Sequence, residues 1–319
     1  MTAVLSERAS AIAAGLVADR VLGEPPSSVH PVARFGSSMQ KLETRLYADS
    51  RPRGIAYAGV GAVSAAVLGR LADAGGRRVA WTALSTATYT TVASRALVQS
   101  AEAVAEQLAQ GRIEEARSLL PALVGREPSK LDREEICRAV VESVAENTVD
   151  AVVAPIFWAA AFGSPAVLAY RAINTLDAMV GHRSSRYLRF GWAAARTDDI
   201  ANWVPARLAA ILVMVARPSR AGAVWRAVRA QAPYHPSPNA GVAEAAFAAA
   251  LGIRLGGTNT YGERTEQRPS LGHGPAADVA DIEKANRLSL DVMRILFILL
   301  LVPSVVQRVC GQRGEVRNP

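Results

Sequence analysis

Ala151-Val-Val-Ala-Pro-Ile-Phe-Trp-Ala-Ala-Ala-Phe-Gly-Ser-Pro-Ala-Val-Leu-Ala169 is the one apolar stretch of this chain that approaches membrane-spanning length without a charge. A spanning helix needs about 20 mostly apolar residues. Pro155, Gly163 and Pro165 interrupt this one, so the sequence predicts a broken or re-entrant helix between 150 and 170. Such a break is tolerated where protein covers the freed backbone groups. Further apolar segments lie at Ala9–Leu22, Ile55–Leu71, Val79–Ser94, Leu208–Ala216 and Ile295–Val306. They reach spanning length only by including terminal polar residues, with Arg70, Arg207 and Arg294 placed to snorkel. The window rule gives about four to six spans.

Working outward, 50% of the 319 residues are hydrophobic but only 6% aromatic. Ala, Leu and Val dominate, and no long alternating run suggests strands. The expected fold is an all-α, polytopic helical membrane protein, a single domain over residues 1–319, with polar helices and loops outside the lipid. The mean hydropathy of +0.14 suits a chain partly in lipid and partly in water. Two cysteines cannot build a disulfide framework. The formal net charge of +8 comes largely from Arg, but no zinc-finger spacing or aromatic-basic motif points to nucleic acid. Excess Arg beside apolar segments suits lipid headgroups or anionic substrates. No cleavable signal peptide is expected, because Asp19 and Arg20 interrupt the first apolar stretch.

The polar stretches between are read as a Pro- and Arg-containing loop at Gly23–Gly54, an amphipathic helix at Ser100–Leu120, a second helix at Leu131–Val149, a proline-broken turn at Ala232–Asn239 and a glycine-rich loop at Gly256–Gly274. Glu142, Glu146 and Asp150 recur every four residues, which stacks three carboxylates on one helical face beside Asn147. Like charges at that spacing repel, so a cation should offset them. The ordinary explanation is a solvated face, but this stripe runs into apolar sequence at Asp150, where solvation is poor. In Tyr170–Arg183, Arg171, Asn174 and Asp177 share a face, and Gly181 can end the helix before His182 and Arg183. Arg183 can balance the helix dipole or grip a phosphate with its forked guanidinium. In Arg196–Arg207, Asp198 and Asn202 share a face beside Asp199; Thr197 or Asp198 could instead cap the helix. Acid and amide groups on two helices suit Mg²⁺, which is commonly held by one or two carboxylates plus substrate phosphates. No Walker A, Gly-x-Ser-x-Gly or Rossmann pattern is present.

Taken in order, Gly-Glu-Pro-Pro and His-Pro-Val within 23–32, Val-Glu-Ser-Val-Ala-Glu-Asn-Thr-Val-Asp at 141–150, Asn-Thr-Leu-Asp-Ala-Met-Val-Gly at 174–181, Arg-Phe-Gly-Trp at 189–192, Asp-Asp-Ile-Ala-Asn-Trp-Val-Pro-Ala-Arg at 198–207, His-Pro-Ser-Pro-Asn-Ala-Gly at 235–241 and Leu-Gly-Gly at 255–257 resemble the CobD/CbiB family of adenosylcobinamide-phosphate synthases. The resemblance covers most of the chain. It departs at Glu24 and at Gly125-Arg126-Glu127-Pro128, where the family often has Gly-Asp-Pro and Gly-Arg-Asp-Thr, and at His182, often Tyr in relatives.

The resemblance implies a multi-pass protein of the cell inner membrane with its active site facing the cytoplasm. Its reaction would be ATP-dependent amide ligation in cobalamin biosynthesis, joining aminopropanol or its phosphate to a propionate carboxylate of adenosylcobyric acid. Partners would then be the corrinoid, the amine and the lipid bilayer; a homo-oligomer or association with other cobalamin-assembly enzymes is left open. With Mg²⁺ as cofactor and ATP as co-substrate, the candidate catalytic residues are Glu146, Asp150, Asp177 and Asp198. Asp150, Asp177, Asp198 and Asp199 are the candidate metal ligands. Asn147, Asn174, Arg183, Asn202, Arg126, His30, His235 and Asn239 are candidates for binding substrate or ATP. Without the family, the same residues would also suit a Mg-dependent transferase acting on a diphosphate or lipid, or a cation transporter.

Overall fold

The computed structural model describes residues 2–124, 128–129, 131–261 and 264–315. Helices follow one another along the chain. The first four are α1 (Thr2–Leu22), α2 (Pro31–Leu46), α3 (Arg51–Asp73) and α4 (Arg77–Thr91). Then come α5 (Ser94–Ala109), α6 (Ile113–Leu119), α7 (Arg133–Thr148), α8 (Ala154–Phe162), α9 (Ser164–Val180) and α10 (Trp192–Ala201). After α11 (Trp203–Ala216), α12 (Ala221–Ala230) and α13 (Ala240–Leu251), a hairpin of β1 (Leu255–Tyr261) and β2 (Arg264–Leu271) precedes the long α14 (Val279–Glu315).

Local sequence explains several boundaries. Pro31 opens α2 at a position where its missing N–H is not needed, and His30 caps it by accepting from the Val32 N–H at 3.2 Å. Asp132 and Glu135 form a reciprocal capping box at the start of α7. The break expected near 150–170 is present. A wide π-helical turn at Val149–Val153 carries Asp150, and Gly163, at φ +79°, separates α8 from α9. Pro155 accounts for the wide turn: its ring would crowd the carbonyl four residues back, and it donates no hydrogen bond.

Three expectations are corrected. Gly23–Gly54 is not all loop, because Pro31, preset for a helix start and capped by His30, opens α2 within it. Ser100–Leu120 is not one helix, because Gly111 at φ +74° ends the first and α6 starts afresh. Gly256–Gly274 is not a loop but an antiparallel hairpin, with Leu255 opposite Leu271 and a bulge before Gly257. Gly256 and Gly257 both take positive φ there, a conformation open to glycine, and this lets a polar, glycine-rich run pair as strands.

The chain divides into two compact units, each assembled from separate stretches: residues 1–93, 154–201 and 296–319, and residues 94–153 and 202–295. In the first unit α3 packs along α9, α1 along α4, and α10 against α9 and α3. Its core gathers Met39, Tyr57, Leu176, Val180, Phe190 and Ala194. Three glycines on α3 let the neighbours approach: a β-carbon on Gly54 would strike the carbonyl of Phe190, on Gly61 the side chain of Leu176, and on Gly69 the backbone of Pro165. Ile55, Val63, Leu68 and Leu71 of α3 are exposed. In the second unit α12 and α11 pack on α13, while α7 lies against α5 and α13.

Among the described residues, α3 alone is long and apolar enough to cross a membrane, with a second candidate if α10 and α11 are taken together. This is fewer than the expected four to six. The reason is visible in the helices: α4 has 15 residues, and α1 carries Glu7, Arg8, Asp19 and Arg20 within its 21.

Gly54→Ala is expected to destabilise the first unit by about 1–3 kcal/mol through overpacking against Phe190. Ala at the unhindered Gly59 should be neutral or mildly stabilising. Thermal unfolding of the two variants checks this; equal midpoints would show that the glycine contact carries no weight.

Candidate functional site

In the first unit, α9 and α10 present the acid and amide groups to each other. The Asn174 amide donates to Asp198 Oδ1 at 3.3 Å, and Arg171 donates to Asn174 Oδ1 at 3.4 Å. Asp177 follows one turn beyond Asn174 and sits beside Asp198 and Asp199. Burial, reinforced by the charges of Asp198 and then Asp199, pushes its carboxyl up to about 7. Asp177 leans over the end of its own helix, where a β-carbon on Gly181 would collide with its carboxylate. Asp198 lies inside α10, not at its start, so it is no N-cap. Asp199 is held by Arg196 at 3.2 Å and also feels the charge of Arg183 beyond the end of α9. His30 is buried and lies within the fields of Glu24 and Arg171; burial first, then Arg171, lowers its pKa. Its Nδ1 is committed to capping α2, which leaves only Nε2 for a substrate.

The second unit gathers a different polar cluster, built on α7, α13 and the hairpin. Glu142 is buried and accepts from the Gly256 N–H at 2.9 Å, while Arg138 donates to the carbonyls of Gly256 at 2.6 Å and Thr258 at 2.9 Å. One turn further along α7, Glu146 is 3.9 Å from the Arg268 guanidinium, and its side chain is 37% exposed. Arg268 lies 3.4 Å from Glu244, a fully buried carboxyl in the middle of α13. His235 Nε2 is 3.5 Å from the same Glu244, and its Nδ1 meets the Ser237 backbone at 3.1 Å. Burial, then the negative charges of Glu142 and Glu146, raises Glu244 well above the usual carboxylate range. Burial and Arg268 lower the pKa of His235.

The remaining candidates of this unit have structural partners or separate positions. Asn147 donates to the Ser143 carbonyl at 2.9 Å, Asn239 accepts from Arg207 at 2.9 Å, Asn202 is buried at the start of α11, and Asp150 is half-buried in the wide turn. Arg126 lies outside the described residues. Glu244 and Arg268 were absent from the sequence candidates. A lone carboxyl in Ala-Gly-Val-Ala-Glu-Ala-Ala-Phe was the available signal for the first, since such a charge in apolar sequence needs a partner. Arg268 lay in a segment read as loop.

Among the described residues no three His, Cys, Asp or Glu side chains are grouped to hold a metal by themselves. Asp177, Asp198 and Asp199 nevertheless offer the oxygen donors that Mg²⁺ takes, and a cation held there together with substrate phosphates would relieve Asp177, which is raised first by burial and then by its negative neighbours. An apolar groove of about 540 Å³ in the first unit, lined by Leu68, Val79, Thr86 and Leu168 with Arg78 among them, is chemically distinct from either cluster.

The family model described as CobD/Cbib protein matches residues 12–289. The chain belongs to this family. A CobD/CbiB relative from Mycobacterium tuberculosis, named cobalamin biosynthesis protein CobD, is 48% identical over 289 residues, covering 88% of this chain and 91% of its own. Proteins of the same name from Pelobacter propionicus and Geobacter metallireducens are 43% and 39% identical, covering 79% and 84% of this chain and 81% and 87% of theirs. No solved structure matches.

The raised Asp177 carboxyl makes a stability prediction for this CobD/CbiB chain. A carboxyl whose folded pKa exceeds its unfolded value opposes folding once ionised, so the cost is absent at low pH and grows as pH rises from 3.8 to about 7. Asp177→Asn should therefore raise the thermal midpoint in metal-free buffer at about pH 8 and leave it unchanged near about pH 4. A shift of the same size at both pH values would show that Asp177 is not under electrostatic strain.

Proposed function

We propose that this CobD/CbiB protein is an ATP-dependent ligase of cobalamin biosynthesis. It would join (R)-1-aminopropan-2-ol, or its phosphate, to a propionate carboxylate of adenosylcobyric acid. Membership of the family supports the pathway. The observation carrying the chemistry is the Asn174–Asp198 contact, which ties α9 to α10 beside Asp177 and Asp199.

A carboxylate and an ammonium do not condense unaided, because the leaving group would be oxide or hydroxide. If the propionate oxygen first attacks the γ-phosphorus of ATP, ADP leaves and an acyl phosphate forms. The amine nitrogen then attacks the acyl carbon and inorganic phosphate departs. Such a reaction asks the protein mainly to position its reactants and stabilise charge. Asp177, Asp198 and Asp199 would hold Mg²⁺, which when bound neutralises phosphate charge. Asn174, fixed between Arg171 and Asp198, orients a phosphate or amide group. The exposed Arg183 guanidinium beyond α9 is suited to phosphate oxygens. The exposed apolar side chains of α3 suit lipid, and the inner membrane is the proposed location.

The deciding assay incubates purified protein with adenosylcobyric acid, each amine, ATP and Mg²⁺, and identifies products by mass. An amide product with stoichiometric ADP is expected. Asp177→Asn should retain its membrane content but lose about 100-fold or more of the rate. Near-normal turnover would remove Asp177 from the site, and an intact mixture would remove the ligase reading.

A further inference from the structure

The apolar groove of the first unit, about 540 Å³, follows from small residues on α4. Arg78, Thr82, Thr86 and Thr90 recur every four residues with Ala83 and Ala87 beside them, so one face of that helix lines the groove. The other face packs on α1, where a β-carbon on Gly15 would strike Ser85 and Thr88. Ala and Thr are too short to fill the space between α4 and the walls, which are Leu68 and Ala72 of α3 and Leu168 of α9. Thr82 and Thr90 donate their hydroxyls to the carbonyls of Arg78 and Thr86, each at 3.0 Å, so the floor stays apolar.

The end of the groove at the turn from α3 to α4 is cationic. Arg77 pairs with Glu7, but Arg78 is exposed and meets no acid among the described residues. Arg8, Arg70, Arg77 and Arg78 outnumber Glu7 and Asp73 at this end. Two helices start here with no side-chain cap and no acid in the first turn: α4 after Gly76, and α9 after Gly163, which stands beside Asp73. Open helix starts favour an anion. Ser164, the first residue of α9, lines the groove and is 2% exposed, yet its Oγ has no hydrogen-bond partner among the described residues. A buried hydroxyl left unpaired is costly, and an acceptor in the groove would remove that cost. Leu68 is a wall of the groove and yet 63% exposed, so the groove opens where α3, the helix long enough to cross a membrane, is uncovered.

We propose that this groove binds one acyl chain of an anionic phospholipid, with the phosphate held by Arg78, the Ser164 hydroxyl and the open starts of α4 and α9. The inference rests on the membrane location proposed above and not on the ligase chemistry. The apolar floor selects a hydrocarbon chain, and the cationic end selects a negative group tethered to it. From Arg78 to Thr90 the floor runs about 18 Å, close to the roughly 15 Å of hydrocarbon in one leaflet. Trp81, exposed one turn along α4, is a residue type enriched at the headgroup level where this places Arg78. A water-soluble phosphate would leave the floor unused, and a zwitterionic lipid would bring a second cation towards Arg78.

Native mass spectrometry of the full chain in detergent tests this with two lipids of matched acyl chains, phosphatidylglycerol and phosphatidylcholine. One phosphatidylglycerol should stay bound per chain, with an affinity about fivefold or more above that of phosphatidylcholine. Arg78→Gln, a change at an exposed position, should remove most of that preference. Ala83→Phe, which fills the floor, should weaken both lipids about tenfold or more. If that variant does not fold, the two lipids and Arg78→Gln decide the matter without it. Equal binding of the two lipids, or an unchanged preference in Arg78→Gln, overturns the anionic site. Glycerol 3-phosphate binding as tightly as the whole lipid overturns the place of the acyl chain. Cell fractionation reads the location separately. Recovery in the soluble fraction would sink the location and this inference together, whereas a membrane-bound protein with no lipid preference sinks this inference alone.

Discussion

Removing a carboxylate from water costs more than any single contact in this molecule returns, so each acid group drawn inside must meet a cation, a donor or a proton. Both units are organised around that constraint. In the second, Glu142 is met by Arg138 and the Gly256 amide, and Glu244 is met only loosely by Arg268 and His235. In the first, Asp177 is buried beside negative neighbours on α10, and burial first, then those charges, elevates its pKa. Structural acids in this chain look different: Asp132 caps α7 and Glu43 is satisfied by Arg186 at 3.0 Å and Tyr187 at 2.9 Å.

The same constraint explains why the hairpin belongs with the chemistry of the second unit. Two side chains of α7 engage its first strand through backbone groups, Arg138 on the Gly256 and Thr258 carbonyls and Glu142 on the Gly256 N–H. Its second strand supplies Arg268 to Glu146 and Glu244. The hairpin root therefore supplies a backbone N–H to Glu142 and a guanidinium to Glu146 and Glu244. Its glycines permit the close approach: a β-carbon at Gly256 would run into the Pro269 carbonyl of the paired strand.

Much of the helical frame was legible in the residues themselves. Pro155 and Gly163 break the central apolar stretch, and Asn174 meets Asp198 from segments singled out together, whereas α2 lies in a stretch read as loop. What escaped depended on contacts remote in sequence. Glu146 and Glu244 lie far apart in sequence, and nothing in a periodicity reveals that Arg268 approaches both. The hairpin was read as a loop because its glycines weaken strand propensity, although at Gly256 and Gly257 the positive φ they allow is what makes the pairing fit. Among the described residues, fewer helices reach spanning length than expected because segments such as Val79–Ser94 fold as short helices, 15 residues in α4.

The interleaving of the two units along the chain bears on how the protein is made. Residues 94–153 emerge from the ribosome before the first unit has its α8–α10 segment, and residues 154–201 emerge before the second has α11, α13 and the hairpin. Neither unit can close its core on the portion synthesised first, and loop-closure entropy must be overcome before long-range contacts reward it. Cutting the gene at any one point leaves two fragments that each lack part of a unit. Dissection of this family into separately expressed halves would therefore need a circular permutation or a deliberate excision, not a truncation.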